Sequence, residues 1–129
     1  KVQVIVDEIS AVLQILTFDI QSVPIKISIS DNAWQAKIAS RFLKSDNAAI
    51  VFGRSIYLWG TSKQAFLNNQ KWLLHELQHV LQYQRDGFMG FIYKYIRNHI
   101  KHGYYNNPYE VEARAAEQNE ELLKQFDLP

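Results

Sequence analysis

His75-Glu76-Leu77-Gln78-His79 places two histidines four residues apart in a segment with the hydrophobic pattern of a helix. Residues four apart on an α-helix are separated by about 40° around the axis and about 6 Å along it, so both imidazoles can bind one metal ion. Glu76 lies one residue further round the helix, where its carboxylate can accept a proton from a water molecule at the metal. The motif therefore combines two metal ligands with a general base.

Large apolar residues surround the motif on almost every side of the predicted helix; they are Trp72, Leu73, Leu74, Leu77, Val80 and Leu81. A helix that is apolar around most of its circumference is buried on several sides. Ionisable groups on such a helix need partners, and a zinc ion with its water would supply them. The alternative interpretation is an exposed helical face that carries two surface histidines and a surface glutamate.

The composition indicates one folded domain over residues 1–129, because 47% of the residues are hydrophobic and 13% are aromatic. A net charge of +1, with both signs mixed along the chain, leaves no basic stripe, so nucleic acid is not an expected partner. The absence of cysteine excludes thiolate ligands, and with them the hydrolases that combine this motif with a cysteine ligand. No apolar run reaches the length of about 18 residues that a membrane span needs, and the compartment stays unknown.

The sequence starts at Lys1 and not at a methionine, from which we expect that an upstream segment has been removed.

The first half of the chain predicts one helix followed by strands. Val2 to Phe18 carries apolar residues at helical spacing, namely Val2, Ile5, Val6, Ile9, Val12, Leu13 and Leu16. Ile25, Ile27 and Ile29 then alternate with polar residues, which predicts a half-buried strand. Trp34 to Leu43 fits either a short helix or a loop. Ala48–Phe52 and Ser55–Trp59 flank Gly53-Arg54, which predicts a hairpin with a type II′ turn.

The second half of the chain predicts helices. The motif lies in a long helix over Lys63 to Arg85, which Asp86-Gly87 terminates. An aromatic-rich helix over Phe88 to His99 follows, and its aromatic residues are expected in the core; they are Phe88, Phe91, Tyr93 and Tyr95. An irregular link leads to a last helix over Pro108 to Phe126, with Asn107 as its N-cap.

The predicted order gives an α+β fold with an N-terminal helix, a small three-stranded sheet, the motif helix and two further helices. Compact zinc peptidases have this order, and an extended substrate pairs with the edge strand of their sheet. On these grounds the chain resembles the gluzincin-type zinc metallopeptidases, in particular the small minigluzincins. The residues that carry the resemblance are His75, Glu76, His79 and the stretch Asn107-Pro108-Tyr109-Glu110-Val111-Glu112-Ala113.

A catalytic zinc needs three protein ligands and one open position, so the motif alone is incomplete. Arg85 occupies the position where metzincins have their third histidine, which excludes that class. The resemblance to gluzincins implies a glutamate from a downstream helix in the pattern E-x-x-A, and Glu110 with Ala113 matches it. In the alternative pattern E-x-x-x-D an acid supports a ligand histidine, but Arg114 stands at that position, so the sequence does not identify the supporting acceptor.

Other residues compete with Glu110 for the third ligand position. With Asn107 as N-cap, Glu110 could instead complete a capping box without any metal. A helical wheel over the last helix puts Glu110 on a polar face and Glu112 in the apolar arc, which favours Glu112 as the buried carboxylate. His99 and His102 are further candidates, and a histidine ligand would indicate a different class of zinc peptidase.

Peptide hydrolysis passes through a tetrahedral oxyanion that needs a hydrogen-bond donor besides the metal. The candidates lie in or beside the link before Glu110; they are Tyr104, Tyr105, Tyr109, His99 and His102. Gln82, one turn after His79, is a candidate for bracing the site.

The expected function is a zinc-dependent peptidase that acts on a peptide or protein substrate. Zinc is held by His75, His79 and Glu110, and Glu76 acts as general base. Two other functions fit the same sequence. One is a non-catalytic interaction domain stabilised by zinc, and the other is a metal-free structural module in which the motif is accidental.

Overall fold

The computed structural model describes the backbone of all 129 residues and the side chains of residues 1–15 and 23–129. The described residues mix helices with small sheets, as the α+β prediction requires. In chain order the elements are α1 (Val2–Ser22), β1 (Ile25–Lys26), β2 (Ser28–Ser30), α2 (Trp34–Leu43), β3 (Ala48–Phe52), β4 (Ser55–Trp59), α3 (Lys63–Asn68), α4 (Gln70–Asp86), α5 (Phe88–His102), α6 (Pro108–Ala116), a 3₁₀ helix (Glu120–Gln125) and β5 (Phe126–Asp127).

The motif helix α4 is shorter than the helix predicted over Lys63 to Arg85, because the chain leaves the helical conformation at Asn69 (φ −95°, ψ 87°). The side-chain oxygen of Asn69 accepts a hydrogen bond from the Trp72 amide at 3.3 Å and caps the first turn of α4. Ser62 caps the separate short helix α3 in the same way, through the Ala65 amide at 3.0 Å. The predicted single helix is therefore two helices, each with its own N-cap.

The predicted hairpin is confirmed. Strands β3 and β4 pair antiparallel with Phe52 opposite Ser55, so Gly53-Arg54 forms a two-residue turn. Gly53 has φ +63°, which a type II′ turn requires at its first central residue and which glycine adopts without strain. Strand β2 pairs parallel with β4 on the other side and completes a three-stranded sheet in the order β2-β4-β3.

The single strand predicted from Ile25 to Ile29 is two strands in different sheets. Strand β1 pairs parallel with the C-terminal strand β5, with Ile25 opposite Phe126, whereas β2 joins the main sheet. The alternation still predicts burial correctly at Ile27 and Ile29, which are buried in the core. The pairing partner of β1 lies at the other end of the chain, where local periodicity carries no information about it.

The last helix ends ten residues earlier than predicted, at Ala116 and not at Phe126. Asn119 leaves the helical region (φ −105°, ψ 84°), and the 3₁₀ helix and β5 follow. This course buries Leu122 and Phe126 in the core and lets β5 form backbone hydrogen bonds with β1. Burial and pairing together favour this ending over continuation of α6.

The core lies between α4, the sheet and the surrounding helices. Helix α2, ambiguous in the sequence, packs on β3 and β4, while α4 contacts β3, α5 and α6. Buried apolar residues of α4 and the sheet form one cluster; they include Ile29, Val51, Ile56, Leu58, Leu73, Leu74, Leu77, Val80 and Tyr83. Within α5, Phe91 is buried as predicted, but Phe88 and Tyr93 are exposed because one face of this helix is directed to solvent.

Helix α1 continues to Ser22, beyond the predicted end at Phe18. Every residue from 1 to 15 is exposed, including the apolar stripe that starts at Val2 and Ile5. Leu16, which the prediction also placed in this stripe, lies outside the residues whose side chains are described. Among the described residues, no helix has the length and hydropathy to cross a lipid bilayer.

Candidate metal centre

The structure brings His75 and His79 of α4 together with Glu110 of α6. The Nε2 atom of His75 lies 3.1 Å from Glu110 Oε2, and Nε2 of His79 lies 3.1 Å from Glu110 Oε1. One potential ligand atom from each of the three residues falls within 4.8 Å of the other two. Among the described side chains, His75, His79 and Glu110 are therefore a group that could bind one metal ion.

Asn107 fixes the start of α6 and thereby the position of Glu110. It is fully buried, its side-chain oxygen accepts from the Tyr109 amide at 3.1 Å, and its side-chain nitrogen donates to the Tyr95 carbonyl at 3.1 Å. These bonds cap α6 and join it to α5. Pro108, which needs no hydrogen bond for its nitrogen, occupies the first helical position. Glu110 in the first turn is thus directed at α4.

The carboxylate of Glu110 does not complete a capping box. It is 3% exposed and contacts the two imidazoles, and its Oε1 also accepts a hydrogen bond from the Tyr95 hydroxyl at 3.0 Å. Glu76 and His79 are each 7% exposed, so the motif does not lie on an exposed helical face. The capping box proposed for Glu110 and the exposed helical face proposed for the motif are therefore both wrong.

The other candidates for the third ligand lie away from the two imidazoles. Glu112 is half-exposed and accepts hydrogen bonds from Arg85 at 3.1 Å and Gln78 at 2.8 Å. His99 is exposed and stacks on the Tyr95 ring, and His102 is also exposed. The helical wheel favoured Glu112 because it included residues up to Lys124, which do not belong to α6.

Two imidazole nitrogens and one carboxylate oxygen are ligands that zinc commonly takes in catalytic sites. Tetrahedral zinc with ligand bonds of about 2.05 Å needs ligand atoms about 3.3 Å apart. Each imidazole nitrogen lies 3.1 Å from one of the two Glu110 oxygens, and one ligand atom from each of the three residues lies within 4.8 Å of the others. The donor set therefore fits a zinc ion, and its atoms lie close enough to surround one ion.

The electrostatics of the pocket favour a cation. Burial acts to raise the pKa of Glu110, but hydrogen bonds from His75 and His79 outweigh burial and hold the pKa well below its usual range. Burial acts to lower the pKa of His79, whereas hydrogen bonding to Glu110 and the charge of Glu76 raise it to about 9. An anionic carboxylate thus stands between two imidazoles, and either a proton or a metal ion can balance it.

Glu76, the expected general base, lies beside the ligands. Its burial raises its pKa, which brings the group closer to the range in which a carboxylate exchanges protons at neutral pH. The indole N–H of Trp72, one turn earlier on α4, donates to Glu76 Oε1 at 3.3 Å. Glu76, His75 and Trp72 line a cleft of about 400 Å³.

Several supporting contacts were not identified from the sequence. The sequence did not single out Glu117, whose Oε2 lies 3.8 Å from His75 Nδ1, beyond the distance of a direct hydrogen bond. Seven residues, about two helical turns, separate Glu117 from Glu110, which puts the two carboxylates on the same side of the helix. Gln82 is fully buried and contacts His79 Nδ1 at 2.8 Å. Tyr95 was predicted as a core residue, and no feature of the sequence links it to Glu110.

Of the five candidates for an oxyanion donor, Tyr104 lines the cleft together with His75 and Glu76. Burial raises its pKa, and the nearby carboxylates raise it further, so its hydroxyl keeps the proton at neutral pH. The hydroxyl of Tyr109 donates to Asp86 at 2.7 Å, and the Tyr105 ring stacks on Arg114. His99 and His102 do not line this cleft.

Strand β3 forms one wall of the cleft through Ala48 and Ala49. Phe52 and Ser55 flank the two-residue turn and form a hydrogen-bonded pair, and hydrogen-bonded pairs alternate along an antiparallel ladder. The amide and carbonyl of Ala49 therefore point away from β4, toward the open edge of the sheet. The cleft thus combines the candidate metal ligands with an unpaired strand edge.

Comparison with known proteins identifies no relative of this chain. No protein-family model, curated protein or solved structure matches the chain. The resemblance to gluzincins therefore rests on the residues of the motif, on Glu110 and on the order of the elements.

Proposed function

We propose that this chain is a zinc-dependent peptidase of the gluzincin type, built as a single zincin-like domain over residues 1–129. The observation that supports it best is the position of the Glu110 carboxylate between the Nε2 atoms of His75 and His79. Glu76 lies beside this group on the wall of an open cleft. A general base next to three potential zinc ligands is the arrangement that metal-assisted hydrolysis needs.

His75, His79 and Glu110 would hold the ion, and zinc would supply a Lewis acid that lowers the pKa of a water molecule and polarises a carbonyl group. Glu76 accepts the proton as this water attacks the carbonyl carbon of the scissile peptide bond. The same carboxyl group then donates the proton to the leaving amine. Trp72 holds one oxygen of Glu76, so the side chain stays oriented between the two transfers.

Tyr104 is the residue of this chain that would donate a hydrogen bond to the oxyanion, because its protonated hydroxyl lies on the same cleft wall. A peptide is the substrate that fits the other wall. An extended backbone can pair with the free amide and carbonyl of Ala49 on β3, as in β-strand addition. The proposed partner is therefore a peptide or protein segment in extended conformation.

The central experiment compares Glu76→Gln with the wild-type protein and with Glu120→Gln, an exposed residue of the 3₁₀ helix. Zinc content and turnover of a mixed fluorogenic peptide library are measured on each protein. We expect all three proteins to bind about one zinc per chain, and Glu76→Gln alone to lose turnover by at least about 10²-fold, the scale of general-base catalysis.

Retained turnover in Glu76→Gln would reject the mechanism. Zinc binding without turnover in any of the three proteins would instead indicate the non-catalytic zinc domain. A wild-type protein that binds no zinc would leave only the metal-free structural module.

A further inference from the structure

Gln82 makes contacts that link the second histidine of the motif to the surface of the protein. We infer that Gln82 is a positioning residue that holds the His79 ring in the tautomer and orientation needed for binding a metal through Nε2. The inference rests on the proposed zinc site, and it assigns a role to a residue outside the three ligands and the general base.

All the polar atoms of the Gln82 side chain have partners, although the residue is fully buried. Its Oε1 lies 2.8 Å from His79 Nδ1, and its Nε2 donates to the Tyr109 carbonyl at 3.0 Å and to Glu112 Oε1 at 3.1 Å. One amide group thus joins α4 to two positions on the first turns of α6. A buried side chain with this many bonds has one orientation only.

These bonds determine which ring nitrogen of His79 carries the proton. The Tyr109 carbonyl and the Glu112 carboxylate can only accept hydrogen bonds, so the side-chain nitrogen of Gln82 must face them. The side-chain oxygen of Gln82 must therefore face His79. An amide oxygen can only accept, and Nδ1 of His79 must therefore donate. Nε2 is left as the nitrogen that can bind a metal ion, in place of the proton that it shares with Glu110 at 3.1 Å.

Glu112 and Arg85 anchor this amide from the solvent side. Arg85 Nη1 donates to both oxygens of Glu112, at 3.1 and 3.2 Å. The ion pair is partly exposed and contributes little to stability by itself, but it holds Glu112 Oε1 in place for Gln82. The second glutamate of the Glu110-Val111-Glu112-Ala113 stretch thus supports the site without binding the metal.

Gln78 provides a matched control for Gln82. It is the same residue type on the same helix and donates to the same Glu112 oxygen at 2.8 Å, but no hydrogen bond joins it to His75 or His79. Gln78→Met and Gln82→Met therefore both remove a bond to Glu112 with little change of side-chain volume. Only Gln82→Met also removes the acceptor of His79 Nδ1.

The test measures zinc affinity by competition with a chromogenic chelator, and the His79 tautomer by ¹⁵N NMR of the zinc-loaded protein, in which the ring carries one proton. We expect Gln82→Met to lower zinc affinity by about 10- to 100-fold, as loss of a residue that orients a metal-binding histidine does, and to mix the two tautomers. Gln78→Met should stay within about threefold of wild type. If Gln82 only stabilised the fold, neither the zinc affinity nor the His79 tautomer would change in a variant that stays folded.

Glu112→Ala keeps the experiment decisive if Gln82→Met does not fold, because this half-exposed residue is tolerant of change. We expect a smaller loss in the same direction, about three- to tenfold. If folded Gln82→Met binds zinc as tightly as wild type, the inference is overturned, although the zinc site remains. If Gln82→Met does not fold, equal zinc affinities of Glu112→Ala and wild type overturn the inference in the same way. Failure of the wild-type protein to bind zinc would instead overturn the proposed function.

Discussion

A single buried carboxylate organises the candidate site at the scale of residues. Glu110 contacts both imidazoles and accepts a hydrogen bond from Tyr95, so side chains of α4 and α5 surround it. Burial of a carboxylate is costly unless such partners are present. The same contacts bring both Nε2 atoms to one carboxylate, which reduces the reorganisation needed when an ion binds.

Replacement of Glu110 by Gln tests whether this carboxylate is a metal ligand. The amide keeps the shape but removes the negative charge, and loss of a supporting residue alone already costs about 10- to 100-fold in affinity. We therefore expect zinc affinity to fall by more than about 100-fold, measured by chelator competition. Glu121→Gln, which changes an exposed carboxylate, should leave the affinity unchanged. A Glu110→Gln affinity within about threefold of wild type would exclude Glu110 as a ligand.

Tyr104 and Tyr105 provide a second comparison at this scale. Tyr104→Phe removes the hydroxyl that lines the cleft, whereas Tyr105→Phe changes an exposed ring that stacks on Arg114. We expect Tyr104→Phe to lower kcat by about 10²-fold with zinc affinity unchanged, because an oxyanion donor acts mainly in the transition state. Tyr105→Phe should keep wild-type kinetics. A kcat unaffected by the Tyr104 change would assign the oxyanion to another donor.

The residues of the site differ in how far the sequence could predict them. His75, Glu76 and His79 share one helical turn, and their spacing alone places them together. Glu110 remained in competition with Glu112, because the choice depends on where α6 ends and how it packs on α4. Gln82 was a candidate for bracing the site from its spacing to His79, but its other partners lie on α6 and could not be predicted. Glu117 and Tyr95 were not predicted near the site, since their contacts depend on how the helices pack.

At the scale of elements, local signals decided what could be predicted. The hairpin and the N-cap of α6 depend on short stretches, and both were predicted correctly. The break at Asn69 was missed because hydrophobic residues continue at helical spacing on both sides of it. The pairing of β1 with β5 joins Ile25 to Phe126, which are far apart in the sequence, and no local pattern could show it.

Asn69→Ala tests the N-cap that separates α3 from the motif helix. The substitution removes the acceptor of the Trp72 amide, and such caps contribute about 1 kcal/mol. For a chain of this length we expect the Tm to fall by about 3 to 5 °C, measured by calorimetry. Asn68→Ala changes the neighbouring exposed asparagine, whose side chain accepts a long hydrogen bond from the exposed Gln64, and should shift the Tm by about 1 °C or less. Equal shifts would show that Asn69 is not the effective cap.

Ala49→Pro tests the free edge of β3. Proline removes the outward amide without removing a bond to β4, and edge strands tolerate proline at such positions. We expect KM for a peptide substrate to rise by about three- to tenfold, the effect of about one lost hydrogen bond, while zinc content is unchanged. An unchanged KM in a folded Ala49→Pro protein would show that substrates do not pair with this edge.

At the scale of the whole molecule, one helix serves both the core and the candidate site. Leu74, Leu77 and Val80 of α4 are fully buried, and His75 and His79 lie between them in the sequence. Packing of these apolar residues fixes the rotation of α4, and that rotation directs the histidines at α6. Under the proposed function, stability and metal binding would be linked, because an ion between α4 and α6 would join two elements of the core.

This link gives a prediction for the complete protein. A ligand that binds only the folded state stabilises it by about 2.7 kcal/mol at a free concentration 100 times its Kd, which corresponds to a Tm increase of about 10 °C here. We expect the zinc-loaded protein to melt about that much higher than the same protein with a chelator, in calorimetry at equal pH. Glu110→Gln should lose most of the difference, since its affinity is lower, whereas Glu121→Gln should retain it. Equal melting temperatures with zinc and with chelator in the wild-type protein would mean that α4 and α6 pack without any need for an ion, and that His75, His79 and Glu110 form an ordinary buried polar cluster.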